Sequence, residues 1–270
     1  MNKTMISAIQ SLVVVLTFSA AAKATVVIDL SGTGTATLTG GMGDSILDAT
    51  SAPTTVGTGS IDSFERLQNS PTEQGYNTDA NNVDDNKGGI FTHSLLLSNL
   101  DTTSKLGYYT FLLDVNETAK TSLISIDALQ LYVASTGNLS HSGTPGPGAT
   151  LVYDFLTATS VSCTTAGSSS CTGTGSPSKV ILDYNNNEGS GNGFDMFLYV
   201  KQSLFSGVVP ANTPYIYLYS AFGNTDSSDA GFEEWAHITA TGQQVPEPVT
   251  SALVGSGLIA LFFVRRRVRG

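Results

Sequence analysis

Basic residues are scarce in this sequence, with 12 Lys and Arg in 270 residues. Four of those lie in the last six positions. Between Thr25 and Val245 there are 6, against 21 Asp and Glu, which leaves 6 − 21 = −15. Phosphate backbones are gripped by clustered Lys and Arg, so a nucleic-acid partner is excluded. Cations and neutral or basic polymers suit such a surface better. Charge of either sign is thin, at 13% of residues against about 25% in ordinary globular domains. Thr, Ser, Gly and Asn take its place, as suits an extracellular β-protein. Histidine is also rare: His93, His141 and His237 are not at metal-ligand spacing with one another or with a Cys. The chain has no G-x-S-x-G, H-E-x-x-H or phosphate-binding loop. Cysteine is limited to Cys163 and Cys171, with small and hydroxyl residues between them. An even count in an exported chain predicts a disulfide.

Long apolar runs are confined to the two ends. Lys3 precedes an apolar stretch from Ile9 to Ala22, then Ala22-Lys23-Ala24. That order reads as a signal peptide over 1–24, cleaved after Ala24 by signal peptidase. At the other end, Val245-Pro246-Glu247-Pro248 leads into 16 uncharged residues, Val249 to Val264, followed by Arg265-Arg266-Arg267 and Arg269. As a helix the uncharged run spans about 24 Å, nearly the hydrocarbon core once the arginines snorkel. The arginines stay on the cytoplasmic side, which leaves the preceding chain outside the inner membrane.

This tail resembles the PEP-CTERM sorting signal over 245–270. The resemblance implies an exosortase-type transpeptidase as partner, reading Pro246, Glu247 and Pro248, with Arg265, Arg266 and Arg267 closing the signal. It also implies a Gram-negative bacterium that makes exopolysaccharide or biofilm. The protein would pass transiently through the inner membrane to the envelope, surface or extracellular matrix. Gly107 to Asn116, Leu123 to Tyr132, Gly189 to Val200 and Gly231 to Ala236 are similar to one recurrent group of such proteins. That likeness carries no established activity.

Between the ends, period-2 alternation recurs and a sustained 3.6-residue period does not. Strands are expected at Val26–Leu38 with a break at Ser31-Gly32, and at Tyr108–Val115. Leu123–Val133 follows, with a bulge or break near Ala128 where the apolar phase slips. More are expected at Leu151–Phe155, Val180–Tyr184, Phe194–Lys201, Tyr215–Tyr219 and Trp235–Thr239. Ser60–Leu67 and Ser203–Ser206 read as short helical turns, and Asn69–Gly89 and His141–Gly148 as loops. The fold class is therefore all-β: one antiparallel β-sandwich, jelly-roll-like, over 25–243, flanked by the signal helix and the transmembrane helix.

Two binding constellations stand out. Asp183-Tyr184-Asn185-Asn186-Asn187 spaces oxygen ligands at alternate positions, as a calcium loop begins. Glu188 stands where the turn glycine belongs and Phe194 where the bidentate Glu belongs, with Asp195 one residue on. The calcium candidates are Asp183, Asn185, Asn187 and Asp195; otherwise no cofactor is expected. Tyr215, Tyr217 and Tyr219 share one strand face, and with Trp235 they form the carbohydrate-stacking candidate. Glu233 and Glu234 are adjacent carboxylates, but strand neighbours point to opposite faces, so a pair needs another partner. The expectation is a non-catalytic surface or matrix protein, structural or adhesive, associated with exopolysaccharide. A lectin-like module is the second reading and a glycan-active enzyme the third.

Overall fold

The structure is a computed structural model that describes residues 25–50, 61–80, 83–118, 121–165, 171, 173–187, 194–208, 214–229 and 231–238. The segments expected to be a signal peptide and a sorting tail lie outside them. Among the described residues no helix is long and apolar enough to cross a membrane.

Among the described residues fifteen strands follow in chain order. The first five are β1 (Thr25–Asp29), β2 (Gly34–Thr39), β3 (Ser45–Asp48), β4 (Ile61–Leu67) and β5 (Glu73–Tyr76). Then come β6 (Leu95–Leu96), β7 (Tyr108–Asp114), β8 (Leu123–Ala134), β9 (Ala149–Asp154) and β10 (Ser160–Thr165). The last five are β11 (Gly173–Thr174), β12 (Ser176–Asp183), β13 (Met196–Lys201), β14 (Tyr215–Phe222) and β15 (Glu233–Ile238). Short 3-10 turns are the described helical elements, among them Gln202–Phe205, close to the turn expected at Ser203–Ser206.

The strands form two sheets packed as a β-sandwich. The seven-stranded sheet runs β1-β12-β8-β14-β5, with β9 on β8 and β6 on β14; the eight-stranded sheet runs β11-β10-β2-β3-β13-β7-β15-β4. All pairings are antiparallel except β1 with β12. Alternation in sequence decides which side chains enter the core. Met196, Leu198 and Val200 of β13 and Ile216 and Leu218 of β14 turn inward, where Trp235 and Phe111 are fully buried. The β2–β3 turn uses Gly40 and Gly41 at φ +92° and +61°, conformations that residues with a Cβ rarely adopt.

The phase slip in the third expected strand is a bulge. Ala221 pairs with Ala128 and Phe222 with Ile126, so Asp127 is the extra residue. The disulfide between Cys163 and Cys171 is present, with Cα atoms 5.6 Å apart.

Two expectations are corrected. The helical turn expected over Ser60–Leu67 is absent from its described part, because 61–67 is strand β4. Trp235 pairs with Glu65 and Ala236 with Ser63, which leaves Phe64 as a bulge residue. The bulge puts Phe64 and Glu65 both inside, and the resulting three-residue spacing of Phe64 and Leu67 imitates a helix. The stretch 69–89 is not all loop, because Glu73–Tyr76 forms edge strand β5 on β14. Its Glu, Gln and Gly carry no strand pattern of their own.

Candidate functional site

The outer face of the eight-stranded sheet carries a groove of about 400 Å³. β4, β15 and β7 form its floor and supply Asp62 and Ser63, Glu234 and Ala236, and Asp114. Ile90 and Phe91, from the chain after β5, form one wall; Phe194, before β13, forms the other. The apolar surface continues through Leu112, Phe197, Tyr199 and Ile238. The rings of Phe197 and Tyr199 stack at 5.7 Å, two residues apart on β13.

The charged centre of the groove is a row across three strands. Arg66 of β4, Glu234 of β15 and Asp114 of β7 are successive cross-strand partners. Arg66 Nε and Nη2 both donate to Glu234 Oε2, at 2.8 and 2.6 Å. The guanidinium lies 3.5 Å from the Phe91 ring centre and 4.9 Å from that of Phe232, a cation–π clamp on both sides. Asp114 has the opposite surroundings. Burial first, then the charges of Asp195 and Glu234, push its carboxyl up to about 7 against the pull of Arg66. The groove thus holds a carboxyl paired to arginine beside one whose proton is retained toward neutral pH. At its edge, Asp62 lies 3.8 Å from His93 and 3.6 Å from His237. Burial pushes the His237 imidazole down.

A second acidic group lies inside the sandwich. Glu65, Glu73, Glu117 and Glu233 are at most 4% exposed. Burial pushes Glu65 and Glu233 far above the usual carboxylate range. It also raises Glu73, and it lifts Glu117 to about 8 with help from Asp229. Glu73 and Glu233 meet carboxyl to carboxyl. Next to Glu73 a polar cavity of about 240 Å³ opens between Asn69, Asp85, Asp127 and Asn224.

The predicted site residues fall elsewhere. Tyr215, Tyr217 and Tyr219 do share a face of β14, but they are no open platform. Tyr217 is fully buried and Tyr219 is 8% exposed, packed with Tyr76, Tyr132 and Leu139 in a second small core. Tyr217 donates to Thr136 O at 2.5 Å and accepts from Leu139 N–H at 3.3 Å, so the 136–149 segment covers the ring. Trp235 belongs to the other sheet and the main core, with Nε1 donating to Ser220 Oγ at 3.1 Å.

The calcium candidates have local partners. Asp183 accepts from Asn185 N–H at 3.0 Å at the end of β12 in one sheet. Asp195 accepts from Val115 N–H at 2.7 Å at the start of β13 in the other sheet. The side chain of Asn187 lies outside the described residues, as do Pro246, Glu247, Pro248, Arg265, Arg266 and Arg267. Among the described residues no three acidic, His or Cys side chains stand ready to hold a metal ion.

Glu233 and Glu234 do point to opposite faces, one to the interior and one to the groove. The sequence signal missed was the partner of Glu234: Asp114 ends a strand recognised from its pattern, but no local spacing ties residues 114 and 234. No family model, curated protein or solved structure matches the chain.

Proposed function

We propose that this is an exported, non-catalytic surface or matrix protein of a Gram-negative envelope, which makes adhesive contact with polysaccharide through the groove on the eight-stranded sheet. The observation that carries the glycan contact is the groove itself. It pairs aromatic walls, Phe91 and Phe194, with hydrogen-bonding carboxyls, Asp114 and Glu234. Sugar rings stack on aromatic faces and their hydroxyls bond to carboxylates. Acidic groups at the floor favour neutral or basic glycans over uronates. Export rests on the sequence of the two ends: a signal peptide over 1–24, and a PEP-CTERM-like tail with a membrane helix over 249–264, read by an exosortase-type partner.

Affinity electrophoresis through gels carrying neutral, cationic or uronate-rich polysaccharides tests the contact. Retardation by a neutral or cationic gel is expected. It should weaken at least tenfold in Phe194→Ala and stay unchanged in Tyr217→Phe. No retardation in any gel ends the reading.

One observation favours glycan hydrolysis as a second reading. Asp114 and Glu234 are direct cross-strand neighbours with Cβ atoms about 5 Å apart, which lets their carboxyls approach the separation of about 5 Å that a retaining acid and nucleophile need. Release of reducing sugar that disappears in both Asp114→Asn and Glu234→Gln would establish it. Absence of turnover across the same panel would leave binding alone.

A further inference from the structure

The interior glutamates have few of the partners that buried charge requires: Glu73 and Glu233 meet each other, and Glu117 meets Asp229, acid against acid. Glu65 comes from β4, Glu73 from β5, Glu233 from β15, and Glu117 from the segment after β7. Among the described residues no ion pair reaches any of the four. Backbone N–H groups satisfy two of their eight carboxyl oxygens. Asn69 donates to Glu73 Oε2, and Asp229 to Glu117 Oε2, both at 2.9 Å. Six oxygens are buried without a donor: both of Glu65, both of Glu233, and one each of Glu73 and Glu117. The Asn116 backbone lies near enough to favour ionised Glu233 but outside hydrogen-bond geometry.

A neutral side chain adds an independent sign. Asn86 is 6% exposed, and its Nδ2 donates to Tyr76 O at 2.6 Å. Its Oδ1 is buried with no donor. That oxygen lies against Gly75, where a Cβ would project, and Leu67 packs on the same point. Residues 73 and 75 share a face of β5, so Asn86 Oδ1 opens toward the side occupied by Glu73. Leu67 is the cross-strand partner of Glu233 and follows Glu65 by two residues on β4. An amide oxygen buried without a donor adds a seventh hard oxygen for a cation.

Buried carboxylates must be protonated, paired or bound to a metal. Seven oxygens from carboxylates and an amide, without sulfur or imidazole, match a hard cation with six to eight ligands. We propose that Glu65, Glu73, Glu117 and Glu233, with the Asn86 amide oxygen, form an interior binding site for a divalent cation of the calcium class. The polar cavity beside Glu73 gives the ion its route from solvent. As the side chains stand, no three acidic groups close on one point, so binding draws the glutamates together through rotation about their side-chain bonds. The site is independent of the groove and of the glycan reading.

The test is calorimetry and thermal melting of the EDTA-treated protein with CaCl₂, against MgCl₂ at matched ionic strength. Saturable heat at one Ca²⁺ per chain is expected. The melting temperature should rise by roughly 5–10 °C at saturation. Glu65→Gln and Glu233→Gln should melt no lower than the parent in EDTA and lose at least a tenfold factor in Ca²⁺ affinity. Glu117→Gln, nearer the surface, carries the same decision if either interior variant fails to fold. No Ca²⁺ heat, equal responses to Ca²⁺ and Mg²⁺, or undiminished affinity in the Gln variants would each overturn the site and leave the cluster held by protons alone.

Discussion

Asp114 and Glu234 face one another across neighbouring strands, yet their surroundings differ. Arg66 pairs with Glu234 at 2.6 Å, while burial and two acidic neighbours raise Asp114 to about 7. An unfolded chain ionises that aspartate near 4. The folded protein therefore binds more protons between pH 4 and 8. The stability Asp114 contributes is full below about pH 4, falls as pH rises through 7 and is gone above it. Urea midpoints should accordingly drop from pH 5 to pH 8.5. Asp114→Asn should flatten that drop and be more stable than the parent at pH 8.5 by on the order of 2 kcal/mol. An unchanged slope would mean another group dominates.

Trp235 gives the contrasting residue-scale case. It is fully buried, with its indole N–H on Ser220, so Trp235→Ala should cost about 3–5 kcal/mol in denaturant unfolding. Phe194→Ala, on the groove wall, should leave the melting temperature within about 1 °C while weakening glycan retardation.

At the scale of elements, the disulfide ties the 163–171 loop to β10, which runs beside β2. The closed loop is short, so Cys163→Ser with Cys171→Ser should cost no more than about 3 kcal/mol. Comparing unfolding of the oxidised protein, the reduced protein and the double variant checks this. Gly231 is a tighter constraint. A Cβ there would collide with the Asn116 carbonyl, a backbone atom that no rotamer can move. Gly231→Ala should therefore lose 3 kcal/mol or more, or fail to accumulate folded protein.

Elements with a clean two-residue period were legible in the sequence: β7, β12, β13 and β14 sit where alternation put them, and Asp127 bulges where the apolar phase slipped. β4 was misread because its bulge turns two consecutive residues inward. β5 was missed because an edge strand of Glu-Gln-Gly-Tyr draws its order from β14. The site was less legible. Alternation placed the three tyrosines on one face of β14 but could not show that 136–149 folds over them. The Arg66–Glu234–Asp114 row joins residues up to 168 positions apart, and no local pattern records such a meeting.

For the whole molecule, charge is distributed by depth. The basic residues described are few, and Arg66, Lys179 and Lys201 are each committed to an acidic side chain near the surface. The interior acids are left to protons or to an imported cation. A protein in matrix fluid with abundant divalent cations would thus be stiffer than the same chain before export. Mass spectrometry of protein recovered from matrix and from envelope tests the proposed route. A mature form beginning at Thr25 and lacking Val249 to Gly270 is expected. Recovery only of chains that keep the arginine tail in the inner membrane would replace sorting with simple anchoring.

The place of β15 has a kinetic consequence. The last described strand inserts between β4 and β7, both of which precede it by more than a hundred residues. Until residue 238 has emerged, a growing or translocating chain carries two unpaired strand edges in the middle of one sheet and has no Trp235 to fill the gap. Contacts this distant in sequence make closure slow, and open edges invite pairing with other chains. A chain truncated after Asp229 should show no cooperative melt by circular dichroism and should aggregate at micromolar concentration. The full chain should require a holding chaperone for as long as its C-terminal strand is still on the way.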